Sequence, residues 1–209
     1  MKRVQELITI INNWTNEDEP KSYVISPYVK ELAIRLDNME KADSFFEIYS
    51  LIANTYRRMG RFVLAARYYE KALDIVILFY NETFKDDCYI DRIKDLFYNI
   101  LKYRNRFIDD DCKDVLNNVN NNHLLPKEMV DEVYKSVMNH RRDLKSDPIE
   151  MSEEYLNVID EVEKLIDENM TYRGMGACHQ YWMLKQRFLA ERGINWKSPA
   201  ALNPRVMFD

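Results

Sequence analysis

The chain has 209 residues and a formal net charge of −5 at pH 7. Hydrophobic residues make up 46% of the sequence and aromatic residues 12%, with only four glycines, which is typical of a packed helical protein and excludes a disordered chain. The acidic balance argues against nucleic acid as a partner. At this length we expect one domain or one continuous solenoid.

The cysteines and the short apolar runs bear on where in the cell the protein acts. Cys88, Cys112 and Cys178 are odd in number and far apart, so neither a disulfide framework nor a metal site is predicted. The longest apolar run, residues 75–80, is far shorter than the ~20 residues of a membrane span, and no signal-peptide pattern opens the chain. We therefore expect a cytoplasmic protein with no membrane segment and no cofactor.

The first two helices are predicted from apolar spacing and from a capping pattern. Residues 2–13 carry one apolar face, formed by Val4, Leu7, Ile8 and Ile11. Ser26 followed by Pro27 predicts the start of a second helix, because a hydroxyl caps it and the missing proline N–H costs nothing at the first helical position. This helix is expected to end at about Asp37.

Residues 45–73 carry the most specific pattern in the chain. Large, small and aromatic side chains follow one another in a helix–turn–helix order, at Tyr49, Ile52, Ala53, Tyr56, Gly60, Ala65, Tyr69 and Ala72. This order resembles a tetratricopeptide repeat, a unit of ~34 residues that stacks on its neighbours. Ile77 stands where that family commonly carries a helix-ending proline, so the second helix of the pair is expected to continue towards Tyr80.

The resemblance implies an all-α fold, in which antiparallel helix pairs stack as a short right-handed solenoid. It also implies a concave groove lined by the inner helix of each pair. The partner-binding residues would then be Glu47, Ser50, Asn54 and Arg57. Members that clamp a C-terminal carboxylate carry a lysine one turn before the asparagine, and this chain has Ser50 there, which argues against that specialised recognition.

A weaker echo of the pair follows over residues 96–107, where Asn105 replaces the turn glycine as the next most tolerant residue of a left-handed backbone. The match ends at residues 109–111, three aspartates that fit an acidic first helical turn better than a calcium loop. Asparagines cluster over residues 117–123 and predict a boundary, because asparagine prefers turns and caps. We expect a repeat-like region over residues 1–122 and a C-terminal helical region over 123–209, continuous as one domain.

The C-terminal region is predicted to hold three helices and an irregular tail. One helix opens at Pro126, a long one is capped by Ser152, and the last spans residues 178–192. The segment from Gly174 to Asp209 resembles the tail of bacterial proteins that have no assigned activity, so it implies a shared module without a function. Packing of Trp182, Trp196 and Phe208 is expected to anchor the tail.

Three functions remain open at this point. The first is noncatalytic protein–protein interaction in the groove, with an unidentified protein or peptide partner. The second is a small enzyme with a thiol or imidazole site at Cys178 and His179. The third is nucleic-acid binding through two basic patches, formed by Arg57, Arg58, Arg61, Arg67, Lys102, Arg104 and Arg106. The repeat-like pattern of residues 45–73 favours the first, protein–protein interaction.

Overall fold

A computed structural model describes residues 2–17, 20–79, 87–107, 112–139 and 144–208. Over these residues the protein is all-α, as predicted, and contains no strand. The helices are α1 (Lys2–Thr15), α2 (Ser22–Asp37), α3 (Phe45–Arg58), α4 (Phe62–Phe79), α5 (Asp87–Arg104), α6 (Lys113–Asn121), α7 (Lys127–Asn139), α8 (Glu153–Asn169), α9 (Ala177–Ala190) and α10 (Pro199–Leu202), with a short 3-10 helix at Pro148–Met151. None of the helices in these ranges is both long and apolar enough to cross a membrane.

The chain divides into two compact units. Unit 1 comprises Met1–Pro20 and Pro27–Asp143, and unit 2 comprises Lys21–Ser26 and Leu144–Asp209. The predicted ranges 1–122 and 123–209 divide the chain elsewhere. The difference arises because α7 packs against α5 and α6 and so belongs to unit 1.

Helices α3 and α4 form the antiparallel pair that was predicted from residues 45–73. Gly60 makes the turn between them with a φ of 73°, and the N–H of Arg61 donates to the carbonyl of Tyr56 at 2.8 Å. Ala53 and Ala65 are completely buried, which lets the two backbones approach closely. Tyr56 stacks on Tyr68 with ring centroids 5.5 Å apart. The small residues therefore permit close packing of the two helices and the aromatic residues fill the space beside them, as their order in the sequence indicated.

Helix α4 continues well past Ala72, as expected from the absence of a proline at position 77. It ends at Phe79, and Ile75 and Val76 are buried near its end. Its opposite end packs on α5, where the rings of Phe62 and Tyr103 stack 5.3 Å apart. The three consecutive helices α3, α4 and α5 thus pack in sequence order.

The predicted start of α2 at Ser26 and Pro27 is wrong. The helix begins at Ser22 and contains Pro27 in its second turn. Ser26 caps nothing at that position: its side chain is buried and its hydroxyl donates to Asp160 at 2.8 Å. Hydrogen bonds from side chains of Ser22 and Tyr23 to α8 accompany it. These contacts within unit 2 stabilise the extra turn and offset the backbone hydrogen bond that proline cannot make.

Two further predictions about asparagine are also wrong. Among described non-glycine residues only Cys112 and His123 have positive φ, so Asn105 does not take the left-handed conformation of Gly60. The asparagine cluster lies mostly inside α6, because Val115 and Val119 are buried on one face of that helix. The helix ends at Asn121, and the turn after it contains His123 with a φ of 50° and a hydrogen bond from the N–H of Leu124 to the carbonyl of Val119. Asp109, Asp110, Asp111 and His140 lie outside the described residues.

Unit 2 has its own hydrophobic core between α8 and α9. Ser152 caps α8 as predicted, since its hydroxyl accepts a hydrogen bond from the N–H of Tyr155 at 3.2 Å. The core residues are Tyr155, Ile159, Val162, Ile166, Leu184, Phe188, Leu189, Ile194 and Trp196. Trp196 is only 1% exposed, and its indole N–H donates to Glu150 at 2.7 Å. The first part of the tail beyond α9 therefore belongs to this core through Ile194 and Trp196.

Candidate functional site

Three of the four predicted partner-binding residues lie in one groove of unit 1. Glu47, Ser50 and Asn54 follow at intervals of three and four residues, which places them on one face of α3. The groove between α3 and α5 has a volume of about 430 Å³. Its lining comprises Phe46, Glu47, Ser50, Leu51, Asn54, Tyr69, Arg92, Asp95, Leu96 and Asn99. Helix α3 thus supplies half of the site and α5 supplies most of the remainder.

Helices α3 and α5 run in the same direction along this groove. The first turn of α3 meets the beginning of α5, where Arg92 pairs with Glu47 at 2.7 Å across a separation of 45 residues. The rings of Phe46 and Tyr89 approach to 5.8 Å beside this pair. Asn99 lines the groove opposite the later turns of α3. Parallel helices separated by an intervening antiparallel helix are what a stacked helix-pair arrangement produces.

Asn54 has a defined orientation in the groove. The hydroxyl of Tyr69 donates to Oδ1 of Asn54 at 2.8 Å, so the amide nitrogen carries the donors that remain for a ligand. On the facing helix, the amide nitrogen of Asn99 donates to the carbonyl of Asp95 at 2.7 Å. The carbonyl oxygen of the Asn99 side chain therefore keeps its acceptor capacity. A donor on one side and an acceptor on the other match the two polar groups of a peptide unit.

Tyr69 lies below these polar groups and is 2% exposed. Burial raises the pKa of its hydroxyl to about 12, while the positive charge of Arg57 acts in the opposite direction and the carboxylate of Asp95 adds to the rise. The phenol is accordingly neutral at physiological pH and acts as a hydrogen-bond donor. The hydroxyl of Ser50 donates to the carbonyl of Phe46 at 2.8 Å and keeps its acceptor lone pairs.

Arg57, the fourth predicted residue, lines the adjacent depression and not the groove itself. This depression is about 440 Å³ in volume and is lined by Thr15, Leu51, Asn54, Arg57 and Arg58. Leu51 and Asn54 line both concavities, so the two are adjacent. Arg58 is held at its edge, because its guanidinium donates to the carbonyl of Glu17 at 2.8 Å.

Arg61, Arg104 and Arg106, three further basic residues of the two patches, are buried or make contacts within unit 1. Arg104 pairs with Asp114 at 2.7 Å, and the guanidinium of Arg106 lies 3.9 Å from the ring centre of Phe62. Arg61 is 6% exposed. These arginines therefore have structural roles and offer less charge to a polyanion than the sequence indicated.

Cys178 and His179 lie in unit 2, at the beginning of α9. His179 is exposed, and its Nε2 lies 3.3 Å from the carbonyl oxygen of Phe208. Its ring meets the edge of Trp182 with centroids 5.4 Å apart, and Trp182 in turn contacts Phe208 at 5.0 Å. Within the described ranges no group of three or more His, Cys, Asp or Glu side chains could hold a metal ion. The imidazole thus packs against the tail.

Sequence reasoning missed Arg92, Asp95 and Asn99, the residues of α5 that complete the groove. The only signal for them was the echo of the repeat over residues 96–107, which indicated a second inner helix but did not identify its exposed face. The role of Tyr69 was missed for a related reason: its ring was predicted to fill space, whereas its hydroxyl also orients Asn54.

No known protein family, curated protein or solved structure matches this chain.

Proposed function

We propose that this protein is a noncatalytic scaffold that binds a peptide or protein segment in the groove between α3 and α5. The observation that carries the proposal is the meeting of Glu47, Ser50 and Asn54 with Asp95 and Asn99 in a single groove. A volume of about 430 Å³ is within the usual range for a binding site. Phe46, Leu51 and Leu96 supply an apolar floor beneath the polar groups.

The chemistry of the groove suits a main chain in an extended conformation. The Asn54 amide offers donors and the Asn99 side chain offers an acceptor, and the two lie on opposite helices. An extended segment presents unpaired N–H and C=O groups at regular intervals, which such side chains can satisfy. We further propose that α3, α4 and α5 are tetratricopeptide-like units of a short right-handed solenoid, and that the protein acts in the cytoplasm.

The test is selection of ligands from a library of random peptides about ten residues long, with the full chain as the target. Ser50→Arg places a long charged side chain in the groove and should weaken the selected peptides by about ten-fold or more. Ser136→Arg is the matched control, since Ser136 is an exposed serine on α7 of the same unit. Selected peptides that bind the parent and both variants equally would place the binding surface elsewhere and refute the proposal.

A further inference from the structure

The two ends of the binding surface carry opposite charge. The groove is lined by two carboxylates, Glu47 and Asp95, and by one guanidinium, that of Arg92, which pairs with Glu47. Among the described residues, the adjoining depression is lined by Arg57 and Arg58 and by no acidic side chain. Over these described residues, the lining of the groove is net negative and the lining of the depression is net positive.

Helix α3 alone gives part of this polarity an ordinary explanation. Glu47 in the first turn and Arg57 in the last turn both suit the helix dipole. Asp95 does not fit that explanation, because it lies in the middle of α5, where the dipole favours neither charge. It lines the same groove as Glu47, and its negative charge reaches Tyr69, as does the positive charge of Arg57. The polarity therefore belongs to the groove formed by two helices.

The distance between the two ends sets the length of a matching ligand. Glu47 and Arg57 are ten residues apart on α3, which corresponds to about 15 Å along the helix axis at 1.5 Å per residue. An extended peptide advances about 3.3 Å per residue, so four to five residues span roughly the same distance. The depression continues from Arg57 to Thr15 on α1, so a chain can extend beyond the positive end.

We propose that the groove selects an internal, extended segment with a basic side chain and an acidic side chain about four residues apart. The basic side chain would pair with Glu47 and Asp95, and the acidic side chain would pair with Arg57 and Arg58. This inference rests on the proposed function of the groove. Complementary charge at both ends also excludes the reversed arrangement, because each end would then meet a like charge.

The experiment uses peptides selected by the parent from the random library, synthesised with blocked termini so that only side chains carry charge. We expect enrichment of Lys or Arg and of Asp or Glu at a spacing of about four residues. Replacing the acidic residue of a selected peptide by its amide should weaken binding to the parent by about ten-fold. The same replacement should have little effect on Arg57→Glu, and that variant should prefer peptides with a basic residue there.

Two charge reversals outside the groove serve as controls. Lys127→Glu and Glu128→Lys change exposed residues of α7 and should leave the peptide preference unchanged. Glu47→Lys should weaken the binding of peptides that carry the basic residue, and replacing that basic residue by a neutral one should remove the effect. Peptides that lose affinity on Ser50→Arg but show no charge preference would overturn this inference and leave the proposed function standing. Peptides insensitive to Ser50→Arg would overturn both.

Discussion

The hydroxyl of Tyr69 donates a hydrogen bond to the side-chain oxygen of Asn54 at 2.8 Å, and so joins α4 to the exposed face of α3. The phenol is buried while the asparagine is exposed at the groove. One contact therefore links the packing between two helices to the orientation of a binding side chain.

Removing that hydroxyl should cost both stability and ligand orientation. We expect Tyr69→Phe to lower the free energy of unfolding by about 0.5–1.5 kcal/mol, the usual net value of one hydrogen bond. The ring and its stacking on Tyr103 are kept. Urea denaturation measures the loss, and peptide affinity measured in parallel should fall because the Asn54 amide can then rotate. An affinity equal to that of the parent would show that Asn54 does not need this bond.

Overpacking at the closest approach of α3 and α4 should destabilise unit 1. Ala65 is completely buried, and Ala65→Leu adds a larger branched side chain at this close approach of two helices, which commonly costs about 1–3 kcal/mol. Ala190→Leu, at an exposed position near the end of α9, is the matched control. Thermal melts that coincide for Ala65→Leu and the parent would contradict the observed packing of the pair.

The tail of unit 2 should depend on an apolar anchor much more than on charge. Trp196→Ala removes a side chain that is 1% exposed and should cost about 3–5 kcal/mol. The neighbouring Lys197→Ala removes an exposed side chain but keeps the backbone N–H that donates to Asp147 at 2.6 Å. Denaturation of both variants at low and high salt measures the difference in stability between them, which salt should hardly change if apolar packing dominates. Similar small losses for both substitutions would mean that the tail does not contribute to the core.

Asp167 should make unit 2 sensitive to acid. Hydrogen bonds from Lys21, Arg173 and Tyr23 hold the pKa of its carboxyl at about 2, below the ordinary 3.8. A carboxyl whose pKa is lower in the folded state stabilises the fold above about pH 4, and this contribution disappears as the pH falls to about 2. Its size is roughly 0.5–1 kcal/mol, because the side chains of Lys21 and Arg173 are more than half exposed.

The check is the pH dependence of the free energy of unfolding for Asp167→Asn. The variant should be less stable than the parent at neutral pH, and the difference should shrink as the pH approaches 2. Glu168→Gln is the control, since its exposed carboxyl makes only a 4.0 Å contact with Lys164. A difference that stays constant over this range would show that the ionised form of Asp167 is not what the native structure stabilises.

The sequence alone predicted those features that depend only on residues close together in the chain. Gly60 supplies a left-handed turn, Ala53 and Ala65 permit close packing, and Ser152 caps its helix, so these features followed from residue type and spacing. The exposed face of α3 followed as well, because helical periodicity determines which residues share a face.

Only the tertiary structure decided features that depend on distant partners. The sequence around Ser26 predicts a helix cap. In the structure its hydroxyl donates a hydrogen bond to Asp160, 134 residues away in the sequence, and the helix starts earlier. The clustered asparagines of α6 predict a turn from their residue type alone. They lie in a helix because Val119, on the same helix, is buried. Arg92 and Asp95 complete the groove only when α5 packs beside α3. In the first two cases a long-range hydrogen bond or the burial of an apolar face outweighs a local preference. In the third case the groove forms only when two helices pack, which a short-range pattern cannot reveal.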